Sequence, residues 1–403
     1  DRQEHFLGSN HERLMVHEIA LAADKDGILL GLDDTFYFDS GAYCPYGPIN
    51  AICCQGILPG PYKIPNLRLE YNAVYTNTVT VGPYRGAGQP HGAFVMETMM
   101  NRLAHELKID PAVLRQRNLV TPAECPFYAG TVFQNGAKLI HQDCDYPAEL
   151  DIVLKALDYD AIRATQDELR QKGTYRGVAI AFYVEGTGIA PYEGVEIRIE
   201  PTGFIHVTTG YPAQGQGHHT SLAQIVAEAL CTDLDMVVIE SGRTDTFAWG
   251  VGTLASRSAV IGGTAAVKAA AKVREKALAL AATQLEAAIE DLELVAGSVQ
   301  VKGVPGHAVG LGELAARANP IFDLEPDTEP GLRATEYYRP QGAEYANGVH
   351  GAIIDVDIET GVSTIRRYVA VHDCGNMINP NIVEGQVRGG VAQGIGGALY
   401  EKI

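Results

Sequence analysis

Hydrophobic and polar positions alternate most clearly near the start of the chain. Over 12–38, ERLMVHEIALAA alternates in part, DKDG (24–27) supplies turn residues and ILLGLDDTFYF returns, which predicts a hairpin. Residues 39–66 hold Gly, Pro and Cys without a period and read as irregular structure. LRLEYNAVYTNTVT (67–80) is rich in strand formers. The polar glycine loop GPYRGAGQPHG (82–92) leads into a helix from about Pro90, a favoured first-turn residue. Met96, Met100, Leu103 and Leu107 share one face of it and predict core packing. Asp110-Pro111 starts a further short helix. Residues 121–147, with prolines and no period, read as a linker, and two polar-faced helices are expected over 148–172.

Two later stretches repeat one plan of hairpin, polar loop and helix, which predicts two structurally related halves. GVEIRIE and IHVTTG flank Pro201-Thr202-Gly203 and feed YPAQGQGHHTSLAQIVAEAL (211–230). GAIIDVDI and STIRRYVAV flank Glu359-Thr360-Gly361 and feed HDCGNMINP and a helix from about Pro380. In the first copy Ser221 and Gln224 stand three apart, as in a capping box. Leu222, Ile225, Val226, Ala229 and Leu230 then form one apolar stripe. In the last helix Val383, Val387, Val391, Ile395 and Leu399 recur every fourth residue and are expected to be buried. Glycines at 385, 389, 390, 394, 396 and 397 cost ~1 kcal/mol each in a helix, or roughly 6 kcal/mol together. That cost predicts close backbone approach there, by a packed helix or by a flat polar ligand facing Gln386 and Gln393. An Ala-rich helix is expected over about 263–290, its Lys and Glu on a solvated face. Residues 293–330 are poorly patterned.

Length adds that more than one domain is present, since single cores rarely grow past ~250–300 residues. The formal net charge of −18 argues against nucleic acid and against an anionic membrane surface as partners. No apolar run reaches the ~18 residues of a membrane span. Seven scattered cysteines without a CxxC pair suggest neither a zinc ribbon nor an iron–sulfur cluster, and read as free thiols in a reducing, cytoplasmic compartment. The chain begins at Asp1 without Met, so a targeting segment can have preceded it.

Gln214, Gly215, Gln216, Gly217 and His218 place amides, an imidazole and two permissive glycines just before a helix N-terminus. Free N–H groups and the positive end of the helix dipole gather there, so phosphate or an electron-rich ring fits, although a plain connecting loop has the same composition. Gly86-Ala87-Gly88 and Gly394-Ile395-Gly396 each begin a GxGxxG but lack its third small residue, which argues against a dinucleotide fold. There is no Walker A motif and no Gly-x-Ser-x-Gly elbow. His218 and His219 have no acidic or thiol partner at ligand spacing, so no side-chain metal site is expected. Tyr84, Arg85, His218, Arg257 and Asp373 are the notable polar loop residues and form no triad. A cofactor that brings its own metal remains as the way to unite several amide-rich glycine loops.

Five blocks then resemble the molybdopterin-binding large subunit of the xanthine dehydrogenase (molybdenum hydroxylase) family, in particular its carbon monoxide dehydrogenase-like bacterial branch. They are GPYRGAGQPHG with DPAVLRQRNLV; RGVAIAFYVEGTGIAPYEG; GYPAQGQGHHTSLAQIVAEAL; TDTFAWGVGTLASRSAVIGG; and HDCGNMINPNIVEGQVRGGVAQGIGGALYE. The resemblance implies an α+β fold of two related molybdopterin-binding domains, with mixed sheets and packed helices. Residues 1–121 would be the C-terminal part of the first, 122–147 a linker and 148–403 the second, incomplete at both ends of the chain. It implies a molybdenum–molybdopterin cofactor, as the cytosine dinucleotide, and electrons passed to iron–sulfur clusters and FAD in partner subunits. The implied reaction is oxidative hydroxylation of an N-heteroaromatic compound or aldehyde with water as oxygen source. By position, Tyr84, Arg85 and Ala87 match substrate contacts. Arg85, Gly86, Ala87 and Gly88 match one cofactor loop, Gln214, Gly215, Gln216, Gly217 and His218 a second, and Thr253, Leu254, Ala255, Ser256, Arg257 and Ser258 a third. Asp373, Cys374, Asn379, Gln386 and Gln393 match the last.

Two departures shape the expectation. Carbon monoxide dehydrogenase has a copper-holding cysteine after the loop arginine, where this chain has Gly86, which argues against CO oxidation. The family's catalytic glutamate lies in a segment beyond Ile403, and Glu185, Glu193, Glu384 and Glu401 do not match it, so no catalytic residue is assigned. Ala87 stands where some relatives have phenylalanine and suggests a roomier pocket. The remainder of a split molybdopterin subunit is therefore an expected partner. The alternative is a non-catalytic scaffold or assembly subunit; a nicotinamide dehydrogenase ranks below both.

Overall fold

The computed structural model describes all residues except 1, 12–13, 190, 323, 325–328 and 402–403. The first two residues of the expected hairpin, 12 and 13, thus lie outside the described residues. In chain order the first elements are α1 (Arg2–Gly8), β1 (Met15–Ala23), β2 (Leu29–Asp39), α2 (Ile49–Ile57), β3 (Leu67–Val74), α3 (Gln89–Leu107) and α4 (Pro111–Asn118). Next come β4 (Phe127–Val132), β5 (Lys138–His141), α5 (Tyr146–Leu157), α6 (Tyr159–Gln171) and β6 (Tyr175–Thr187). The middle holds β7 (Glu193–Ile199), β8 (Ile205–Thr209), α7 (His218–Ala229), β9 (Val237–Ser241), α8 (Gly263–Gln284), β10 (Leu292–Val295), β11 (Ser298–Val301), β12 (Val304–Gly310), α9 (Leu311–Arg317) and β13 (Arg333–Tyr338). The chain closes with β14 (Glu344–Val356), β15 (Ser363–Asp373) and α10 (Pro380–Leu399). Two compact units result: residues 1–186, 342–375 and 391–403, and residues 187–341 and 376–390.

In the first unit the expected hairpin forms as β1–β2, antiparallel. Asp24 closes its turn, its Oδ1 accepting from Asp26 N and Ile28 N at 2.9 Å each. β3 lies parallel to β2, and parallel strands need a crossover segment between them. That crossover contains α2, so 39–66 is not irregular throughout as its composition suggests. Ala51, Cys53, Cys54 and Ile57 of α2 are buried, and thiols inside a core behave as small apolar groups. Met96 and Met100 of α3 are core residues as expected. Asp110 caps α4, accepting from Ala112 N at 2.8 Å.

Residues 122–147, expected as a linker, carry the β4–β5 pair, with Phe133 and Leu139 buried. Two such short strands show too few alternations to be seen in sequence. α5 has the expected polar face, with Asp151 and Lys155 exposed, and on its other face Tyr146, Leu150, Val153 and Leu157 are buried with Ile180, Phe182, Val349 and Ile353 from the sheet β15-β14-β6. Asp355 ties that sheet together, binding Arg176 at 2.7 Å and 2.9 Å and Arg366 at 2.7 Å.

The second unit is built on the sheet β13-β7-β8-β9, in which β8 and β9 are parallel and the other pairs antiparallel. Val195, Ile197, Ile199, Ile205 and Val207 point to one face and meet Leu222 and Val226 of α7 and the alanine face of α8. Alanines at 265, 266, 269, 270, 277 and 281 are fully buried, and their small size lets the helix approach the strands closely. The poorly patterned 293–330 contains the antiparallel strands β10-β11-β12 and α9. Their runs of four to seven residues are too short to show a period.

The repeated plan is present as an order of elements: β7–β8, loop, α7, and later β14–β15, loop, α10. Two details of the helices differ from expectation. α7 starts at His218, with Gly217 as N-cap at φ +80°, and not at Ser221. Ser221 Oγ instead donates to the carbonyls of Gly217 and His218 at 3.3 Å and 3.2 Å, so the capping box does not form. In α10 no residue is buried: Val383, Val387, Val391 and Ile395 are half-buried and Leu399 is exposed. A Cβ on Gly385, Gly394 or Gly397 would meet no atom within 4 Å, so among the described residues nothing makes the close approach expected of them.

Two buried polar networks in the first unit generate predictions. Glu97 Oε2 accepts from Arg115 Nε at 2.9 Å and its Oε1 from the Tyr62 hydroxyl at 2.5 Å, with all three side chains buried. Glu97→Leu should lower unfolding free energy by about 3–5 kcal/mol in urea titration, because it strands the Arg115 charge; adding Arg115→Met should recover most of it. Glu149, in the first turn of α5, binds the Asn347 amide at 2.5 Å and 3.0 Å. Burial first, then the charges of Asp373 and Asp145, push its carboxyl up to about 8. The folded chain therefore keeps a proton that the unfolded chain releases near 4.5. The stabilisation is full below the unfolded value and is lost as pH rises through about 8. Melting temperature should accordingly fall between pH 6 and pH 9, and Glu149→Gln, the neutral isostere, should flatten that fall.

Candidate functional site

In the second unit three of the candidate stretches meet. The chain leaves β8, passes Gln214–Gly217 and enters α7, so this loop sits at the C-terminal end of a strand parallel to β9 and at a helix N-terminus. Gln216 Oε1 accepts from Gln214 N at 2.6 Å and shapes the turn. The 253–258 stretch lies against it: Thr253 Oγ1 donates to Pro212 O at 2.5 Å, and Gln214 Nε2 donates to Thr253 O at 3.5 Å. The start of α10 comes to the same helix. Asn379 Nδ2 donates to Gln224 Oε1 at 2.9 Å, while its Oδ1 accepts from Ile382 N at 3.1 Å and caps α10. Ile382 packs over Gly217, where a Cβ would stand 2.7 Å from it. Gln386 is exposed on the same part of α10.

The 250–258 loop takes an unusual shape. Gly252, Ala255 and Ser256 all have left-handed φ, at +104°, +49° and +49°. Leu254 and Ser256 are exposed, and Ser258 opens a short π-turn that continues into α8. Arg257 differs from its neighbours. Its side chain is 1% exposed and is spent inside the protein, on Glu193, Ile189 O, Gly252 O and Tyr192 O. What Arg257 can offer a ligand is therefore the loop it holds and not its guanidinium.

The remaining candidates belong to the first unit. Tyr84–Gly88 is a tight loop before α3, with Ala87 N bonded to Tyr84 O at 2.7 Å and Gln89 N to Gly86 O at 3.0 Å. Gly86, Ala87 and Gly88 have φ of +96°, +45° and +84°. A Cβ on Gly88 would lie 1.9 Å from the Asn50 carbonyl, so only glycine lets the loop dock on α2. Arg85 NH1 donates to Gln393 Oε1 at 3.2 Å, joining two candidates 308 positions apart. Tyr84 is exposed beside them. Asp373 and Cys374 end β15 and are exposed; Asp373 Oδ1 accepts from Gly375 N at 2.8 Å and closes that turn. Asp373 faces Asn347 across the ladder, the residue that Glu149 holds.

Chemically, the second-unit cluster suits an anionic, hydrogen-bonding ring compound. Among the described residues the buried Nδ1 of His218 has no hydrogen-bond partner. Burial first, then His219, lowers the pKa of that imidazole, against a bond to Pro212, which favours the neutral form that can donate or accept. Among the described residues no side chain caps the first turn of α7, whose N–H groups can therefore serve a ligand. A Cβ on Gly215 or Gly252 would meet nothing within 4 Å, so bare main chain faces open space on both loops. Among the described residues no three His, Cys, Asp or Glu are grouped to hold a metal ion. Glu193 and Asn347 are the residues that sequence reasoning missed as supports of these loops. Each sits in a strand where polar residues usually face water, and only tertiary burial marks them.

Comparison with known proteins bears on the family of the chain. A family model described as molybdopterin cofactor-binding domain matches residues 152–403, and a second of the same description matches 1–119. The chain is similar to the nicotine 6-hydroxylase large subunit of Paenarthrobacter nicotinovorans, 32% identical over 420 residues that cover 100% of this chain and 50% of that one. It is likewise similar to the carbon monoxide dehydrogenase large chain of Afipia carboxidovorans, 34% identical over 432 residues, covering 100% and 51%. Among solved structures it resembles quinoline 2-oxidoreductase from Pseudomonas putida 86, with a TM-score of 0.89 and 37% identity over 98% of this chain and 52% of that one. A Cu,Mo-containing CO dehydrogenase gives a TM-score of 0.86 and 34% identity, over 97% and 51%. The chain spans about half the length of the curated relatives it matches. By loops, fold and likeness, this chain belongs to the molybdopterin-binding large-subunit family of the molybdenum hydroxylases, the xanthine dehydrogenase family.

Proposed function

We propose that the chain grips the molybdopterin of a molybdenum-dependent hydroxylase acting on an N-heteroaromatic ring, with an aldehyde as the second substrate class. The observation that carries this reading is the meeting of Gln214–His218, Thr253–Ser258 and Asn379 around the uncapped start of α7. When bound, the cofactor supplies two-electron chemistry that places an oxygen from water on the substrate. This chain's part is binding and orientation. The α7 N–H groups, Gln214 and His218 would take the pterin edge and its phosphates, with Gln386 and the 253–258 backbone beside them. Arg85, steadied by Gln393, and the exposed ring of Tyr84 would orient substrate over the bare Gly86–Gly88 backbone, with Asp373 and Cys374 completing the first-unit contacts. No residue is assigned as catalytic base.

Relatives named for nicotine and quinoline support a heteroaromatic substrate. The words large subunit and complex subunit in the names of relatives support a multi-subunit assembly, and we propose that its partner subunits carry iron–sulfur clusters and FAD and that the remainder of a split molybdopterin subunit is among them. We also propose the cytosine dinucleotide form of the cofactor and a cytoplasmic complex; no helix among the described residues is long and apolar enough to cross a membrane. The two family matches support division into a first cofactor domain to about residue 121 and a second from about 148.

Elemental analysis of the purified, active complex should find about one molybdenum per copy of this chain, and acid hydrolysis should release cytidine monophosphate. Active material without molybdenum would end the proposal. Ala87→Phe should shift kcat/KM toward one-ring over two-ring substrates by roughly tenfold, because it fills space with a side chain at a backbone angle already non-glycine. Unchanged selectivity would place Ala87 away from substrate.

A further inference from the structure

We propose that Glu193 and Arg257 form a buried latch that holds the 250–257 loop in the shape a bound cofactor reads, which makes Glu193 a positioning residue for cofactor retention. This rests on the cofactor reading above. Both side chains are 1% exposed, and Arg257 NH1 donates to Glu193 Oε2 at 2.6 Å. The same oxygen accepts from Val251 N at 3.2 Å and Gly252 N at 3.1 Å. Arg257 NH1 also donates to Gly252 O at 2.7 Å, so the Gly252 residue is tied at both its N–H and its carbonyl. The other guanidinium nitrogens reach back to Ile189 O, at 3.1 Å, and Tyr192 O. The carboxylate thus joins the start of β7 to a loop nearly 60 positions away.

A latch is needed because the loop cannot hold this shape by itself. Ala255 and Ser256 sit in the left-handed region, which costs about 1–2 kcal/mol per non-glycine residue. Leu254 and Ser256 are exposed and add little packing. The loop is also pressed against the end of β8: a Cβ on Gly250 would lie 2.5 Å from the Gly210 Cα and 2.8 Å from Glu193 Oε1. Glu193 therefore sits where two bare backbones cross, just behind the residues facing open space.

A buried ion pair is poor evidence of stability, since apolar residues of similar volume often replace it without loss. Apolar residues cannot, however, accept the Val251 and Gly252 N–H groups. That difference separates positioning from mere structure. The double variant Glu193→Leu with Arg257→Met removes both charges together, and its melting temperature should lie near wild type. Either single change should lower it. The double variant should nonetheless hold at least about tenfold less molybdenum and pterin per chain, and amide exchange at 251 and 252 should speed up.

All variants are made in the full chain, in a host that synthesises the cofactor, and purified with the subunits that co-assemble. A folded double variant with wild-type cofactor content and wild-type amide protection overturns the latch. Should the double variant fail to fold, Arg257→Lys keeps the charge pair but loses the fork to Gly252 O and Tyr192 O. It should then show the same cofactor loss, and wild-type cofactor content in that variant overturns the latch. Wild-type material lacking molybdenum and pterin would defeat the cofactor reading instead, and amide protection at 251 and 252 would still decide whether the latch exists.

Discussion

A main chain that offers its N–H groups to a ligand cannot spend them on its own secondary structure. Something else must hold it. In the second unit that support is the buried carboxylate of Glu193 with the guanidinium of Arg257, which together bind the loop at Val251 and Gly252. The other candidate loops follow the same logic with different anchors. Gly86–Gly88 is seated on the Asn50 carbonyl of α2, the turn after Asp373 adjoins the Glu149–Asn347 contact, and Asn379 spends one side-chain group on α7 and the other on α10. Each anchor is buried or half-buried, while the main chain it steadies faces outward.

This arrangement also reconciles an acidic protein with an anionic cofactor. At a formal charge of −18, long-range attraction for phosphate is absent. Gln214–His218 and Thr253–Ser258 contain no acidic residue, however, and the helix dipole at α7 gives a local positive end within one turn. Binding of this kind depends on neutral donors at short range, so it should be less sensitive to salt than binding by lysine clusters.

Strain and support are matched in the same places. Of the non-glycine residues with left-handed φ among the described residues, Ala87 in one unit and Ala255 and Ser256 in the other lie within candidate loops, while Lys108, Asp158, Cys231, Glu286 and Ala296 lie outside them. Conformations of that kind persist when the surroundings over-determine them. Here the surroundings are a helix dipole, a crossing backbone and a buried ion pair, and the elements beneath them are alanine-lined or apolar cores that give little room to move.

The amino-acid pattern by itself determined both late hairpins and their turns, the methionine face of α3, the Asp110 cap, the alanine face of α8 and the polar character of the glycine loops. These are legible because period, turn chemistry and capping act over a few residues. The motif resemblance supplied the family, and the positions of the loops came with it. Tertiary structure alone decided that 39–66 contains α2, because a helix there answers to the parallel pairing of β2 with β3, a contact the local sequence does not encode. It likewise decided that 122–147 carries the β4–β5 pair, that α10 buries no residue, and that α7 begins at His218, where Gly217 can take a left-handed angle that the Ser221 and Gln224 spacing does not reveal. Above all it decided that Glu193 and Arg257 are partners. Sixty-four positions separate them, and burial of a charge depends on what the rest of the chain places around it.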